Sequence, residues 1–374
     1  MPNPASAKPL YQTIFERLSR DIASGRYKPG QKFPSEAALV KRFAVSRITV
    51  TRAVRELQQR GLVDRVAGSG TYVRETVRRP QKNLLFGLII PNLGETEIFE
   101  PICQGIAAAP DATGHGLFWG HANPQTSSKE EQALLLCRQC INRAVSGVFF
   151  APLELSAKSS EVNRRVTRML KKARIPVVFL DRRPEEETAD RGRCDLVGID
   201  NYRAGYIATE HLLRLGARRA GFIAYLGQAS TVKARARGFK DARSAISPGA
   251  RGNSIFFLRP GDRLNLPPAA RECDAFVCAN DRIAGHLMHA LIEQRTRIPR
   301  DVRLVGIDDV GYADLLPVPL TTVHQPCREI GETALRVMLE RLDRPQLPAR
   351  DILINCELVI RDSCGATIIF PFTS

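Results

Sequence analysis

VSRITVTRAV, residues 45–54, carries two patterns at once. Val45, Ile48, Val50 and Val54 are candidates for the packed side of a helix. Ser46, Arg47, Thr49, Thr51 and Arg52 are short donors and guanidiniums of the kind that read nucleic acid. The flanks decide between the two. Upstream, LYQTIFERLSRDIAS (10–24) places Leu10, Ile14, Leu18 and Ile22 at a spacing of four, which predicts an amphipathic helix stopped by Gly25. Pro29-Gly30 and Pro34 break the pattern, and Ser35 is a natural N-cap for a second helix, SEAALVKRF, with Glu36 at its positive end. After the short turn Ala44-Val45, Ser46 caps a third helix running to about Arg60, ended by Gly61. LVDRV and GTYVRE then read as two short strands around AGSG. Three helices and a hairpin in residues 1–75 predict a winged helix-turn-helix. In it Val50, Val54 and Leu57 face the core while the front turn of the third helix is free to enter a major groove.

Charge supports that division. Residues 1–80 hold 16 Lys/Arg against 6 Asp/Glu, whereas the remaining 294 residues hold 39 against 33. The basic excess is concentrated where a polyanion would be met. The first 30 residues lack an apolar core flanked by a cleavage site, and the longest apolar runs, such as LLFGLII (84–90), are too short to span a bilayer. These features imply a cytoplasmic chain with no membrane association. The nine cysteines are then expected as reduced thiols. Cys137 and Cys140 have CxxC spacing but no second pair or histidine partner, so no metal is expected there.

RETVRRPQKN (74–83) reads as a charged linker, assigned to residues 76–83. Beyond it the texture changes. LLFGLIIP, GLFWGH, SGVFFAP, PVVFLD, RAGFIAY, DAFVCA and VRLVGID are short apolar runs closed by polar residues, and helix-like segments separate most of them. Buried strands alternating with helices predict an α/β domain with parallel sheets, in two lobes across residues 84–374. In such sheets ligands sit beyond the C-terminal strand ends, which nominates Asn92, His121, Asn123, Asp181, Arg182, Asn280, Asp281 and Asp308. There is no GxSxG elbow, Walker A loop, HExxH or strand-following GxGxxG, so no enzyme and no cofactor is expected.

Two family resemblances follow from these residues. The ordered combination PSE, VSRxTV, L…GL and GxGTYV across about residues 8–75 resembles the DNA-binding domain of GntR-type bacterial regulators. It implies contacts to operator DNA from Ser35, Ser46, Arg47, Thr49, Thr51 and Arg52 and from the wing residues Gly68, Ser69 and Gly70. Three positions depart from the common pattern: Ala37 and Thr51 stand where many relatives have a longer polar or basic residue, and Ala44 where many have glycine. VGIDNYRAG (197–205), STVKARARGF (230–239), AFVCANDRIA (275–284), IPRDVRLVGIDD (298–309) and LTTVHQP (320–326) resemble the LacI/GalR-type sensor, which shares the type I periplasmic-binding-protein fold. That resemblance implies a small-molecule effector, most naturally a sugar or sugar derivative. It would be held by Asp181, Asn201, Arg235, Asn280, Asp308 and Gln325, with Phe99, and less directly Trp119, as an apolar wall. It also implies a homodimer. Expected lobe crossings are 183–195, 321–325 and 344–350. Lobe one takes 84–183 with 326–343, and lobe two takes 195–322 with 350–365. The whole then reads as a ligand-responsive repressor of carbohydrate genes; the alternatives are a purine-responsive regulator and a solute-binding module with no coupled DNA function.

Overall fold

A computed structural model describes residues 10–59, 61–66, 69–74, 83–91, 93, 97–120, 128–154, 156, 158–184, 194–226, 229–246, 254–258 and 266–366. Gly68, Asn92, His121 and Asn123 lie outside the described residues. The chain divides into two compact units, residues 1–82 and 83–374.

The first unit contains α1 (Leu10–Ala23), α2 (Glu36–Phe43) and α3 (Arg47–Gln59), followed by the antiparallel pair β1 (Val63–Val66) and β2 (Gly70–Val73). Its core is built from the stripes the spacing predicts: Ile14, Leu18 and Ile22 from α1, Leu39 from α2, and Val50, Ala53, Val54 and Leu57 from α3, closed by Val63 and Val73. Ala44 ends α2 in the left-handed region at φ 52°, a conformation that costs an L-residue on the order of 1–2 kcal/mol. The tight turn into α3 requires it, which is why the departure from glycine there has an energetic consequence.

In the second unit β3 (Leu85–Ile89), α4 (Phe99–Ala108), β4 (Gly116–Trp119), α5 (Lys129–Asn142), β5 (Gly147–Phe150), α6 (Ser159–Lys172), β6 (Val177–Leu180) and β7 (Asp195–Ile199) form most of the first lobe. α7 (Asn201–Arg214), β8 (Ala220–Tyr225), α8 (Ser230–Ile246), β9 (Ile255–Leu258), β10 (Ala275–Cys278), α9 (Asp281–Glu293), β11 (Arg303–Asp308) and β12 (Thr321–His324) form the second. The chain then returns through α10 (Cys327–Asp343) and β13 (Asp351–Ile354) before ending on β14 (Glu357–Val359). The first sheet runs β13-β7-β6-β5-β3-β4 and is parallel throughout; the second runs β14-β12-β11-β10-β8-β9, with only β14 antiparallel. Central strands such as VVFL (177–180) and GVFF (147–150) are buried at every position because helices cover both faces.

Two expected crossings move. DLVGI (195–199), expected in lobe two, pairs with β6, and β13, also expected there, pairs with β7 in the same sheet. The charged, proline-bearing segment 183–195 looks like a break between lobes, yet the five buried residues after it belong to the first sheet. The first crossing therefore falls at Asp200, between β7 and α7, and the third at 355–356, between β13 and β14. The segment 344–350 instead wraps onto the buried Asp195 carboxylate, which accepts hydrogen bonds from Arg341 (2.8 and 3.0 Å) and from the Arg350 backbone (2.9 Å).

Among the described residues, each lobe has a glycine-mediated helix crossing. On α7 and α8, a Cβ at Gly205 would stand 2.0 Å from the Arg235 carbonyl oxygen, and one at Gly238 2.0 Å from that of Tyr202. On α4 and α10, Gly105 and Gly331 make the same kind of approach. The first crossing matters for function because it seats Arg235 against the start of α7.

Candidate DNA-reading helix and effector cleft

The front turn of α3 is held by its own cap. The Ser46 hydroxyl accepts from the Thr49 backbone N–H (3.3 Å) and shares a hydrogen bond with the Thr49 hydroxyl (2.8 Å). Ser35 does the same for α2, accepting from the Ala38 N–H at 3.2 Å. Both serines therefore have a structural role, and what projects from the turn is Arg47, 83% exposed, and Ile48, 82% exposed. Ile48 is not part of the packed side. It lies two residues before Val50, about 200° around the helix from the buried stripe, so the spacing of Val50, Val54 and Leu57 already excluded it.

Glu36 sits behind this turn and gathers three groups. It accepts from the Thr51 hydroxyl (3.0 Å), and lies 3.9 Å from Arg47 Nε and 3.8 Å from Arg65 Nη2. Thr51 is thus half-buried and tied to α2, while the long, exposed Arg47–Glu36 contact is weak and leaves the guanidinium free to swing. Arg52 is stacked over Tyr11, its guanidinium 3.9 Å from the ring centre, and braces α3 on α1. In the wing, Ser69 pairs with the Tyr72 hydroxyl (2.7 Å), and Gly70 takes φ 123° with Lys32 packed where a Cβ would stand. Of the nominated readers, Arg47 and Thr49 remain on the outward turn, joined by Ile48.

In the second unit the nominated residues converge on one network. Asp181, at the end of β6 with φ 67°, is buried. Its carboxylate accepts from Arg182 Nη1 (2.8 Å) and from Gln325 Nε2 (3.2 Å) at the second crossing. The Gln325 side-chain oxygen faces Arg235 Nη2 at 3.5 Å, so this one amide links the lobes. Arg235, also buried, donates from Nε to Asn201 (2.7 Å) and from Nη1 to the Ala279 carbonyl (2.6 Å), and its Nη2 lies 3.1 Å from Asp308 Oδ1. Asp308 ends β11 at φ 128°. Burial pushes its carboxyl up to about 7, with Arg235 opposing the rise and the Asp281 and Asp181 charges adding to it. Asn280 caps α9, accepting from the Ile283 N–H at 2.9 Å. Asp281 holds Thr322 (2.6 Å) and the Val310 N–H (3.0 Å), a fold-stabilising part. Phe99 is buried under the Arg182 guanidinium at 5.3 Å, while Trp119 is more than half exposed on the edge strand β4.

Sequence reading missed the carboxylates across the cleft. Glu154, after β5, accepts from the Ser230 backbone N–H (2.7 Å) and hydroxyl (2.8 Å) at the start of α8 in the other lobe. Its second oxygen lies 3.1 Å from Arg182 Nε. Glu97 similarly receives the Tyr312 hydroxyl at 3.3 Å. Glu154 closes the apolar run GVFFAPLE, the positional signal that nominated the others, but Ala151, Pro152 and Leu153 separate it from the strand. Two oxygens in the network, Asp308 Oδ1 and Glu154 Oε2, are buried with no directed hydrogen bond although each lies near a guanidinium. The arrangement offers acceptors to a ligand, while the Arg235 and Arg182 charges are already answered by carboxylates.

Among the described residues no group of His, Cys, Asp or Glu is arranged to hold a metal ion, and no helix is long and apolar enough to cross a membrane. Cys137 and Cys140 face the core of lobe one, where burial pushes their thiols up to about 11 and about 12, away from the thiolate that metal or redox chemistry needs.

Residues 10–73 match the bacterial regulatory proteins of the gntR family, residues 83–247 the periplasmic binding proteins and sugar-binding domain of the LacI family, and residues 209–364 a periplasmic-binding-protein-like domain. An arabinose metabolism transcriptional repressor of Geobacillus stearothermophilus is 26% identical over 366 residues, covering 95% of this chain and 97% of its own. An HTH-type transcriptional regulator of Streptomyces coelicolor is 27% identical over 303 residues, covering 79% and 85%. A solved transcriptional regulator in complex with cellobiose shares the fold, with a TM-score of 0.63 at 21% identity, covering 95% of this chain and 100% of that one. The chain is a DNA-binding transcriptional regulator that joins a GntR-family winged helix-turn-helix to a LacI-type periplasmic-binding-protein-like sensor.

Proposed function

We propose that this regulator represses carbohydrate-utilisation genes in the cytoplasm and leaves its operator when a sugar enters the sensor cleft. The observation that carries the reading is the Asp181–Gln325–Arg235–Asp308 network, which links both lobes through one crossing residue. A ligand there bears directly on lobe closure. The similarity to an arabinose metabolism repressor runs through reader and sensor alike and supports the same assignment. Operator contacts fall to Arg47, forking onto a guanine edge or a phosphate, to Thr49, and to Ile48 against a thymine methyl. Gly70 brings wing backbone near the DNA. A homodimer formed through the sensors places two readers over a pseudo-palindromic site. Effector binding shifts the population between lobe arrangements only as far as its affinities for them differ.

The effector class follows from charge. Asp181, Glu154 and Asp308 answer Arg182 and Arg235, and the buried oxygens without directed partners call for hydroxyl donors. An uncharged, hydroxyl-rich monosaccharide fits; a phosphorylated one would bring a dianion against carboxylates. Thermal-shift measurements with neutral pentoses and hexoses, their phosphates, and purines test this, because ligand binding to the folded state raises the transition. A neutral sugar is expected to raise it and to weaken promoter binding. A shift with a purine or sugar phosphate alone overturns the assignment.

A further inference from the structure

One surface of the sensor, on α5 and α6, is strongly basic. On α6, Arg164, Arg165, Arg168, Lys171 and Lys172 are all exposed, and Arg174 follows directly. α5 packs beside α6 over a shared core of Cys137, Cys140, Val166 and Leu170, and adds the exposed Arg138 and Arg143. Residues 138–143 and 159–174 thus hold eight basic side chains against one acidic, Glu161. The α7–α8 stretch, residues 201–246, has as large a basic excess, nine against two, but there Arg214, Arg219 and Arg235 are paired with carboxylates. Among the described residues, Arg138, Arg165, Arg168, Lys171 and Lys172 have no acidic partner.

The charge is also polarised. The acids of these helices, Glu130, Glu131 and Glu161, lie in the first turns, while Arg143, Lys171, Lys172 and Arg174 lie at the C-terminal ends. Helix dipoles account for charges in the end turns. They do not account for Arg138, Arg164, Arg165 and Arg168, which lie within the helices. Because the sheet is parallel and the helices run back against it, the C-terminal ends of α5 and α6 share an end of the lobe with the N-terminal ends of all its strands. The chain arriving from the DNA-reading unit enters the sensor at that end, at β3.

We propose that the α5–α6 surface is a second, sequence-independent DNA contact that engages the phosphate backbone beside the operator. This rests on the reading of the chain as a DNA-binding regulator. Each phosphate neutralised steepens the dependence of log affinity on log salt by about 0.9. Duplexes of random sequence, about 20 and about 60 base pairs long, separate the two contacts because only the longer extends past the reader's footprint of about one to two helical turns. The full-length protein is titrated onto both, from about 50 to 200 mM salt. The wild type is expected to show a steeper slope on the longer duplex. R165E/R168E/K172E is expected to lose about two to three units of slope there and to behave as wild type on the shorter one. R165Q/R168Q/K172Q, milder toward folding, is expected to move the same way. Unchanged slopes in both variants overturn the proposal, leave the operator reading intact, and make an acidic protein the partner that fits the surface. Absence of any salt-dependent binding by the wild type overturns both.

Discussion

Replacing Asp308 by asparagine separates the cost of burying a carboxylate from the rest of the cleft. Burial raises the Asp308 carboxyl to about 7, against an ordinary unfolded value of about 3.9. The folded sensor therefore binds more protons than the unfolded chain between those values. The stability this proton supplies is fully present below about pH 4 and is lost as pH rises through 7. Between pH 6 and pH 8 the loss is about 1.4 kcal/mol, equivalent to one unit of pKa. Asp281, raised by burial to about 6, is half-titrated at pH 6 and adds about 0.4 kcal/mol over the same interval, but it is present in wild type and variant alike. His211, whose burial lowers its pKa, works in the opposite sense, but it is common to wild type and variant and drops out of their difference. Denaturant unfolding at pH 6, 7 and 8 and constant ionic strength, followed by Trp119, the single tryptophan, reads the sensor transition. Asp308→Asn is expected to lose about 1 kcal/mol or more of that pH dependence. A variant whose stability falls with pH as the wild type's does would show that Arg235 keeps Asp308 ionised in the fold, and the burial argument would fail.

Other positions give sharper local tests. Ile48→Ala, at an exposed position, is expected to leave folding unchanged and to weaken operator binding about fivefold, roughly 1 kcal/mol, while relaxing a preference for thymine at one base. Selection from randomised duplexes reads it, and an unchanged site preference removes Ile48 from the contact. Ala44→Gly is expected to stabilise the reader by about 0.5–1 kcal/mol in thermal unfolding, since the residue already sits at φ 52°. No gain would mean the turn is not left-handed in solution. Gly205→Ala pushes a Cβ to 2.0 Å from the Arg235 backbone. Sugar affinity measured by calorimetry is expected to fall at least tenfold with the reader's DNA contacts intact, and retained affinity would show that Arg235 does not depend on this crossing.

The winged helix was legible because its signals are local: caps at Ser35 and Ser46, a spacing of four in α1, and turn residues between β1 and β2. The sensor's cleft was legible in part, since strand-end residues fall on the ligand side of a parallel sheet wherever the strands are found. What the chain pattern did not carry was partnership. Arg235 looks like a free fork in sequence, and only the close approach of α7 and α8 at Gly205 brings Asn201, Ala279, Gln325 and Asp308 around it. Thr51 looks like a reader until Glu36, fifteen residues earlier, takes its hydroxyl. The misplaced crossings have the same origin: β7 and β13 are adjacent in space while their paired residues are 155 apart along the chain, a pairing no local signal announces.

The central claim is that one cleft governs one reading helix. Its most direct test is the affinity of the full-length protein for DNA upstream of a sugar-utilisation operon, measured by fluorescence anisotropy at fixed salt with and without a neutral sugar that raises the sensor's melting temperature. In wild type the sugar is expected to weaken binding. Arg235→Ala is expected to retain DNA affinity and lose the response, and Arg47→Ala to lose sequence preference while still binding the sugar. A sugar that binds tightly and leaves DNA affinity unchanged would contradict the account.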